Sequence, residues 1–283
     1  MPRVSAASDP FGSARIPTPP SAERHGGRAT DPLQEGEPVL LVNASEAILV
    51  PLRPGPQEIP KRGVVDVSRA IGQPPGLVVD WAGVAFRVIR PTLADLLGQL
   101  GRTTQVITAK DAASLLFLAG VGPGSRVAEA GCGTGALTTV LAYSVGPAGR
   151  VISFDRREEF LEGARANLRR FGLVSRVDFQ LRDVAEAGFG EVEVDGVVLD
   201  LPEPWAVFSE VRRILAPGGR IAVFTPTYNQ LERSVRALRE LGFTEVRSSE
   251  LLERQLHVGE GGTRPEFDML GHTGFLTGAR RWS

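Results

Sequence analysis

Short apolar runs and amphipathic stretches succeed one another along most of the chain, and their order predicts the elements of the fold. Between residues 38 and 89 the runs are short, β-like and separated by proline and glycine, which is typical of a small antiparallel sheet or barrel. From about residue 104 onward, apolar runs of strand length alternate with amphipathic stretches of helix length. Such alternation predicts a parallel sheet with helices on both faces.

The predicted strands of this second region bring acidic residues to one edge of the sheet. Five strands are expected, and they end at Ala130, Asp155, Asp183, Asp200 and Thr225. A helix from Trp205 to Leu215 precedes the fifth strand. Two late β runs, Val246 to Leu256 and Gly274 to Arg280, follow without a helix between them, which indicates an antiparallel edge. The predicted class is α/β, with three aspartates where open α/β sheets bind ligands.

Composition divides the chain into three parts. Residues 1–35 are rich in proline, glycine, serine and alanine and lack apolar periodicity, so a disordered tail is predicted. A small β-domain over residues 36–90 and a larger α/β domain over residues 91–283 follow. A short helix between Arg90 and Gly101 is expected to connect them.

Charge and cysteine content narrow the function classes. The net charge of −1 argues against a generally basic nucleic-acid binder, although it leaves room for a local patch. No apolar run is long enough to cross a membrane, and the start of the chain has no apolar signal core. Because Cys132 is the single cysteine, no internal disulfide can form, and a cytoplasmic location is expected. His25 and His257 show no ligand spacing, so no metal site is predicted.

A glycine-rich segment carries the strongest functional signal. Gly131, Gly133 and Gly135 lie between a predicted strand and a predicted apolar helix. A sharp turn there needs residues without a Cβ, and it brings the free amides of a helix N-terminus towards a ligand. Two ligands stay open at this point, a dinucleotide and S-adenosylmethionine. The spacing Gly131-x-Gly133-x-x-Ala136 also fits the relaxed dinucleotide fingerprint.

Three features favour the methyl donor, namely the third glycine, Gly135, and the carboxylates of Glu129 and Asp183. Asp155, 20 residues after Gly135, can accept hydrogen bonds from ribose hydroxyls with either ligand. Glu129, two residues before Gly131, is positioned to receive the ammonium of a methionine moiety. Asp183 could accept a hydrogen bond from the adenine amino group. With the Gly-x-Gly-x-Gly spacing, these residues favour S-adenosylmethionine.

A further motif, Asp200-Leu-Pro-Glu-Pro-Trp205, follows the fourth predicted strand. A carboxylate, a turn stiffened by proline and an aromatic side chain can hold a flat base against a methyl donor. The alternative is that Asp200 caps the next helix and that Trp205 lies in the core. The residue pattern alone leaves both interpretations open.

Taken together, these stretches resemble the tRNA (adenine-58-N1)-methyltransferases of the archaeal–bacterial homotetrameric type, which are class I S-adenosylmethionine-dependent enzymes. The resemblance covers roughly residues 36 to 281. The matching stretches are Arg90-Pro-Thr-Leu-Ala-Asp95, Gln105-Val-Ile107, Lys110-Asp111, Glu129-Ala-Gly-x-Gly-x-Gly135, Asp183-Val184, Leu199-Asp-Leu-Pro-x-Pro204, Arg264-Pro265 and His272-Thr-Gly-Phe275. The Asp200 turn and the terminal His-Thr-Gly-Phe are the most specific of these.

The resemblance implies a Rossmann-like seven-stranded sheet, a small N-terminal β-domain, and a catalytic domain over residues 91–283. It also implies methyl transfer from S-adenosylmethionine to N1 of adenine 58 in the tRNA T-loop, by a homotetramer. Asp200 would be the catalytic residue at the target base. The expected cofactor site consists of Ile107, Glu129, Gly131, Gly133, Thr134, Gly135, Ala136, Leu137, Thr138, Asp155, Phe160, Asp183, Val184 and Asp200. The expected substrate contacts are Trp205, Arg264 and His272, although a structural role for His272 is equally compatible.

The sequence departs from the family pattern at one place, and this leaves other methyl acceptors possible. The family usually carries a tyrosine-containing pair before Lys110-Asp111, whereas this chain has Thr108-Ala109. A methyltransferase acting on another RNA position or on a small molecule is one alternative. A non-catalytic RNA-binding subunit is another, but the intact glycine segment with its three aspartates argues against it. Arginines on the predicted helices are either solvated faces or parts of a tRNA-binding surface.

Overall fold

A computed structural model describes residues 30–100 and 107–282 of the chain. The first part forms a small β-domain with two antiparallel sheets. Its strands are β1 (Pro38–Val42), β2 (Ala47–Pro51), β3 (Pro56–Ile59), β4 (Gly63–Asp66), β5 (Val78–Trp81) and β6 (Val84–Ile89). Four of them form a sheet in the order β2-β1-β6-β5, while β3 and β4 pair only with each other. The β3–β4 hairpin was not expected from the sequence.

The β-domain begins earlier than its predicted boundary at residue 36. Leu33 is fully buried in the core of this domain, together with Leu41 and Val88. Its backbone N–H donates to the carbonyl of Gln73 at 2.8 Å, and its own carbonyl accepts from the N–H of Gly72. The predicted disordered tail therefore does not extend to residue 35, because Leu33 already belongs to the β-domain. The rest of the predicted disordered tail, residues 1–29 with His25, lies outside the described residues.

A short helix, α1 (Leu93–Gly98), connects the two domains where the sequence predicts one. It begins with a capping box, in which the Thr92 hydroxyl accepts from the Asp95 N–H and the Asp95 carboxylate accepts from the Thr92 N–H. Residues 101–106, which include Gln105 of the family-like stretches, lie outside the described residues.

The larger domain alternates helices and strands in the predicted manner. Its elements are α2 (Ala109–Leu118), β7 (Arg126–Ala130), α3 (Ala136–Val145), β8 (Arg150–Asp155), α4 (Glu158–Arg170), β9 (Val177–Leu181), α5 (Val184–Ala187), β10 (Val194–Leu199), α6 (Phe208–Ile214), β11 (Leu215–Thr225), α7 (Tyr228–Glu240), β12 (Thr244–Glu250), β13 (Leu256–Gly259), β14 (Gly262–Pro265) and β15 (Phe275–Arg280). None of the helices described here has the length and apolar character needed to cross a bilayer.

Seven of these strands form the central sheet, in the order β12-β15-β11-β10-β7-β8-β9. The five from β11 to β9 are parallel, and β15 runs antiparallel to both β11 and β12. Apolar layers cover both faces, with Leu141 and Leu168 on one side and Phe208 and Leu238 on the other. The predicted Rossmann-like, seven-stranded α/β fold with a small N-terminal β-domain is confirmed.

Three predicted element boundaries are wrong. The helix predicted from Trp205 to Leu215 is a 3-10 turn over Pro204–Val207 followed by α6, because a proline opens the turn. Leu215 already pairs with Val194 of β10, and a bulge in β11 accommodates the proline and glycines that follow. The late run from Val246 to Leu256 is split, since β12 ends at Glu250 and Leu256 opens a separate β13–β14 hairpin.

The turn into α3 depends on Gly135. Its φ of +83° lies in the left-handed region. A Cβ added at Gly135 would lie 2.9 Å from Cβ and 3.0 Å from Cα of Ala164 on α4. Glycine at this position therefore allows α3 and α4 to pack closely.

We expect Gly135→Ala to lower the free energy of unfolding by about 3 kcal/mol, combining backbone strain with overpacking. Gly133→Ala is the matched control, because Gly133 also has a positive φ, +50°, but nothing lies within 4 Å of an added Cβ. That variant should lose only about 1 kcal/mol. Urea denaturation measures both losses, and equal losses would show that the contact with Ala164 is unimportant.

Candidate active site

A cleft of about 650 Å³ opens at the carboxyl ends of β7, β8, β9 and β10. This is the edge where parallel α/β sheets bind ligands, because the loops leaving the strands diverge there. Seven residues predicted from the sequence line it, namely Gly131, Gly133, Asp155, Phe160, Asp183, Val184 and Asp200. The fold thus brings the glycine segment and the three strand-ending aspartates into one site.

Asp155 is fixed in the cleft by backbone groups. The N–H of Gly133 donates to Asp155 Oδ2 at 3.3 Å, and the N–H of Arg157 donates to Asp155 Oδ1 at 3.0 Å. Gly131 passes so close that an added Cβ would lie 3.2 Å from Asp155 Oδ2. Each carboxylate oxygen keeps a further lone pair for a ligand donor. The two backbone bonds therefore orient the Asp155 carboxylate and leave it able to accept further hydrogen bonds.

Asp183 both caps a helix and lines the cleft. It follows β9 by two residues rather than ending it, and its Oδ1 accepts from the N–H of Ala185 at the start of α5. Its Oδ2 lies 3.7 Å from a guanidinium nitrogen of Arg156. The cap holds Oδ1 at the start of α5, and Oδ2 stays beside Arg156 at the cleft.

Asp200 stands directly after β10 and lines the cleft. Its N–H donates to the carbonyl of Ala130 at 2.7 Å, and its carbonyl accepts from the N–H of Gly131 at 3.4 Å. The side chain is exposed to the cleft, yet the surrounding walls restrict its hydration. This desolvation raises the pKa of Asp200 to about 6.

The alternative role for Asp200, a helix cap, is wrong. The residues at the N-cap positions of the following turn and helix are Glu203 and Val207, and neither makes a side-chain capping bond. Trp205 fits the alternative better, since it is half-buried and packs against the apolar core beneath the sheet. The carboxylate of Asp200 is left free to act in the cleft.

Glu129 lies beneath the site rather than on its wall. It is fully buried, and its Oε2 accepts hydrogen bonds from the hydroxyls of Thr138 and Ser153, both at 2.6 Å. Its Oε1 has no partner among the described residues. Desolvation raises the pKa of Glu129 to about 7, although the two hydroxyl bonds oppose this shift. The structure shows Glu129 joining β7, β8 and α3; its predicted contact with an ammonium group stays a prediction.

Several other predicted cofactor residues support the cleft from outside its lining. Ile107 packs against the core on the α2 side, and Ala136, Leu137 and Thr138 are buried in α3. The carbonyl of Thr134 accepts from the side-chain amide of Asn167 on α4 at 3.1 Å. The bond to Asn167 and the burial of the first turn of α3 hold the glycine segment in place.

The three predicted substrate residues lie apart from one another. The guanidinium of Arg233 lies over the ring of Trp205, and Arg264 lies on the exposed strand β14. His272 is bonded at both ring nitrogens, through Nδ1 to Glu250 Oε1 at 2.6 Å and through Nε2 to the carbonyl of Pro226 at 2.8 Å. The bond to Glu250 is the main cause of a raised His272 pKa. Their contact with substrate stays a prediction.

Sequence analysis missed part of the cleft wall. Arg156, Arg157 and Arg182 line it beside the strand-ending aspartates, and the guanidinium carbon of Arg157 lies 3.5 Å from the centroid of the Phe160 ring. Their position next to Asp155 and Asp183 in the sequence is the signal that could have found them. Gln230 near the start of α7 also lines the cleft, and Thr227 provides the cap of that helix.

Comparison with known proteins agrees with this geometry. The family of the tRNA methyltransferase complex GCD14 subunit matches residues 86–264, which include every cleft residue described above. The chain belongs to this family. The resemblance recognised in the sequence is thereby confirmed.

Relatives of this GCD14-family protein are similar over most of its length. The tRNA (adenine(57)-N(1)/adenine(58)-N(1))-methyltransferase TrmI of Methanocaldococcus jannaschii is 35% identical, over 70% of this chain and 79% of its own. The tRNA (m1A58) methyltransferase TrmI of Aquifex aeolicus matches with a TM-score of 0.66 and 30% identity, over 89% of this chain and 99% of that one. An S-adenosylmethionine-dependent O-methyltransferase of Thermotoga maritima matches with a TM-score of 0.74 and 31% identity, over 92% and 98%.

We expect the ligand-free GCD14-family protein to lose stability as the pH rises from about 4.5 to 7. Unfolded Glu129 ionises near pH 4.5, whereas the buried carboxyl holds its proton to about pH 7, so deprotonation favours the unfolded state across that window. Asp200 contributes in the same direction up to about pH 6. Thermal denaturation at several pH values should show a flatter profile for Glu129→Gln than for wild type and Asp200→Asn. Parallel profiles would show that Glu129 is ionised throughout.

Proposed function

We propose that this protein transfers the methyl group of S-adenosylmethionine to N1 of adenine 58 in tRNA. The observation that carries the proposal is the exposed Asp200 carboxylate, held opposite the glycine segment in a chain of the GCD14 family. The names of its relatives describe methylation of N1 of adenine in tRNA.

The donor half of the cleft fits S-adenosylmethionine. Gly131 and Gly133 present bare backbone, and Asp155 is pre-oriented to accept from the ribose hydroxyls. Asp183 faces the same space and would accept from the adenine amino group. Once bound, S-adenosylmethionine supplies a methyl group on a positively charged sulfur.

On the acceptor side, Asp200 would position the target base. Adenine N1 carries a lone pair and no proton, so no general base is needed to free it. The ionised carboxylate of Asp200 would accept a hydrogen bond from the N6 amino group and direct N1 towards the methyl group. Methyl transfer would exchange the S–CH3 bond for an N–CH3 bond, and it would leave a neutral sulfur and a positive charge on adenine. Asp200 stabilises that charge electrostatically. The target base would have to leave its stack to enter the cleft.

The proposal includes a homotetramer that works in the cytoplasm. The β13–β14 hairpin stands outside the central sheet, and Leu256, Val258 and nearby Phe267 are 62%, 76% and 86% exposed. Apolar exposure of this extent favours contact with another subunit. The free, buried thiol of Cys132 suits a reducing compartment.

Light scattering at low micromolar concentration should give four times the chain mass of 30.3 kDa. Replacing Val258 and Phe267 together by serine should lower the mass, because it removes apolar contact area. An unchanged tetramer would place the interface elsewhere, and a monomeric wild type would contradict the assembly.

Methyl transfer from labelled S-adenosylmethionine to unmodified tRNA should yield 1-methyladenosine in the T-loop. Asp200→Asn should lower kcat by about 100-fold or more, because a neutral amide does not offset the charge on the product. Calorimetry should show that this variant still binds the donor. Donor binding without transfer to tRNA would point to another acceptor, or to a non-catalytic subunit.

We further expect kcat/KM to rise with pH through an apparent pKa of about 6 and then to level off. Asp200 must be ionised to accept the N6 hydrogen bond, and desolvation raises its pKa to that value. A pH–rate profile under subsaturating tRNA measures this. The residual activity of Asp200→Asn should lack the inflection; if it keeps the same inflection, another group titrates.

A further inference from the structure

The segment that carries Asp200 is held at its start and exposed further along. Asp200 itself is bonded through its backbone to Ala130 and Gly131. Pro202 and Glu203 are exposed, and burial resumes at Pro204. An exposed stretch beside a catalytic carboxylate needs a second support if the carboxylate is to keep one position.

Helix α7 supplies that support through two of its side chains, Gln230 and Arg233. The side-chain amide nitrogen of Gln230 donates to the carbonyl of Pro202 at 2.9 Å. Three residues on, and so on the same helix face, the guanidinium of Arg233 lies 4.1 Å from the centroid of the Trp205 ring and 3.9 Å from Glu203 Oε1. These three contacts, which we name the α7 clamp, hold the segment at Pro202, Glu203 and Trp205.

The helix is a firm base for the clamp. Its Leu238 is fully buried against the sheet, and its first turn is closed by the hydroxyl of Thr227, which accepts from the N–H of Gln230. The Thr227 hydroxyl also donates to Gln230 Oε1 at 2.6 Å. Because the carbonyl of Pro202 can only accept, the amide nitrogen of Gln230 must face it. The side chain is therefore oriented from both ends.

We propose that Gln230 is a positioning residue for methyl transfer, which through Pro202 keeps Asp200 aligned with the target base. The inference rests on the proposed function. A loosened segment would let the carboxylate move by a fraction of an ångström to an ångström, and misplacement on that scale can cost up to about 100-fold in rate. Under the proposed function, donor binding would rest on Asp155 and Asp183, and neither residue is a partner in the α7 clamp.

Two variants separate positioning from helix capping. Gln230→Met keeps the length of the side chain but removes the bond to Pro202, and it also removes the partner of the Thr227 hydroxyl. Thr227→Ala removes the capping contacts and leaves the bond to Pro202 intact. Capping predicts that both variants behave alike, whereas positioning predicts that they differ.

The kinetic test uses the full-length protein with unmodified tRNA. We expect Gln230→Met to lower kcat at least 10-fold, with KM for tRNA and the donor Kd changed less than threefold. Thr227→Ala should keep kcat within twofold of wild type while lowering Tm. Equal kcat in the two variants, or a loss confined to KM, overturns the positioning role.

Hydrogen exchange gives a readout that does not need activity. The amides of Leu201, Glu203 and Trp205 should exchange at least fivefold faster in Gln230→Met than in either wild type or Thr227→Ala. Unchanged exchange overturns the clamp even if activity falls. If wild type transfers no methyl group to tRNA, the proposed function fails, and exchange alone then decides whether Gln230 holds this segment.

Discussion

Two backbone hydrogen bonds join the two halves of the candidate active site, one donated by the N–H of Asp200 and one accepted by its carbonyl from the N–H of Gly131. The N–H of Asp200 and the carbonyl of Ala130 are 2.7 Å apart, at the ends of β10 and β7. The glycine segment leaves one strand and the acceptor segment leaves the other, so parallel pairing between the two strands sets the distance between donor and acceptor. The register between β7 and β10 therefore also fixes the relative positions of the two segments in the candidate active site. Gly196 on β10 allows close packing of this strand, since an added Cβ would lie 2.6 Å from the carbonyl of Ala119.

The electrostatics of the site follow from where the fold puts each carboxylate. Asp155 and Asp183 accept hydrogen bonds from backbone amides beside the cleft. Glu129 lies below them in the apolar interior, where a charge has no water to stabilise it. Asp200 is intermediate, open on the cleft side and enclosed on the others. A cationic donor and a cationic product would lie beside the aspartates that line the cleft. The neutral carboxyl of Glu129 would lie beneath them.

Much of the site could be predicted from residue order because parallel strands end at one edge. Asp155 ends a strand, and the glycines, Asp183 and Asp200 each follow one, so their convergence needed only the strand pattern. The burial of Glu129 could not be predicted, since the central strand β7 is covered on both faces and its pattern does not alternate. The β13–β14 hairpin was merged with β12, although the turn glycines Gly259 and Gly262 mark it. The α7 clamp could not be predicted from the sequence. Its bond from Gln230 goes to a backbone carbonyl 28 positions away, and a backbone carbonyl is present at every residue.

Because β15 lies near the end of the sequence, the central sheet can be completed only after nearly the whole chain has been synthesised. This strand, Phe275–Arg280, inserts between β11 and β12, and its pairing with β11 extends to Thr225 beside the cleft. A chain growing from its N-terminus leaves β11 as an open edge until these residues emerge from the ribosome, and open edges pair readily with other chains. The order of strands in the sheet therefore delays closure of the acceptor side until synthesis has passed Arg280. Any shortened product that ends before Phe275 carries an aggregation-prone edge in place of a finished site.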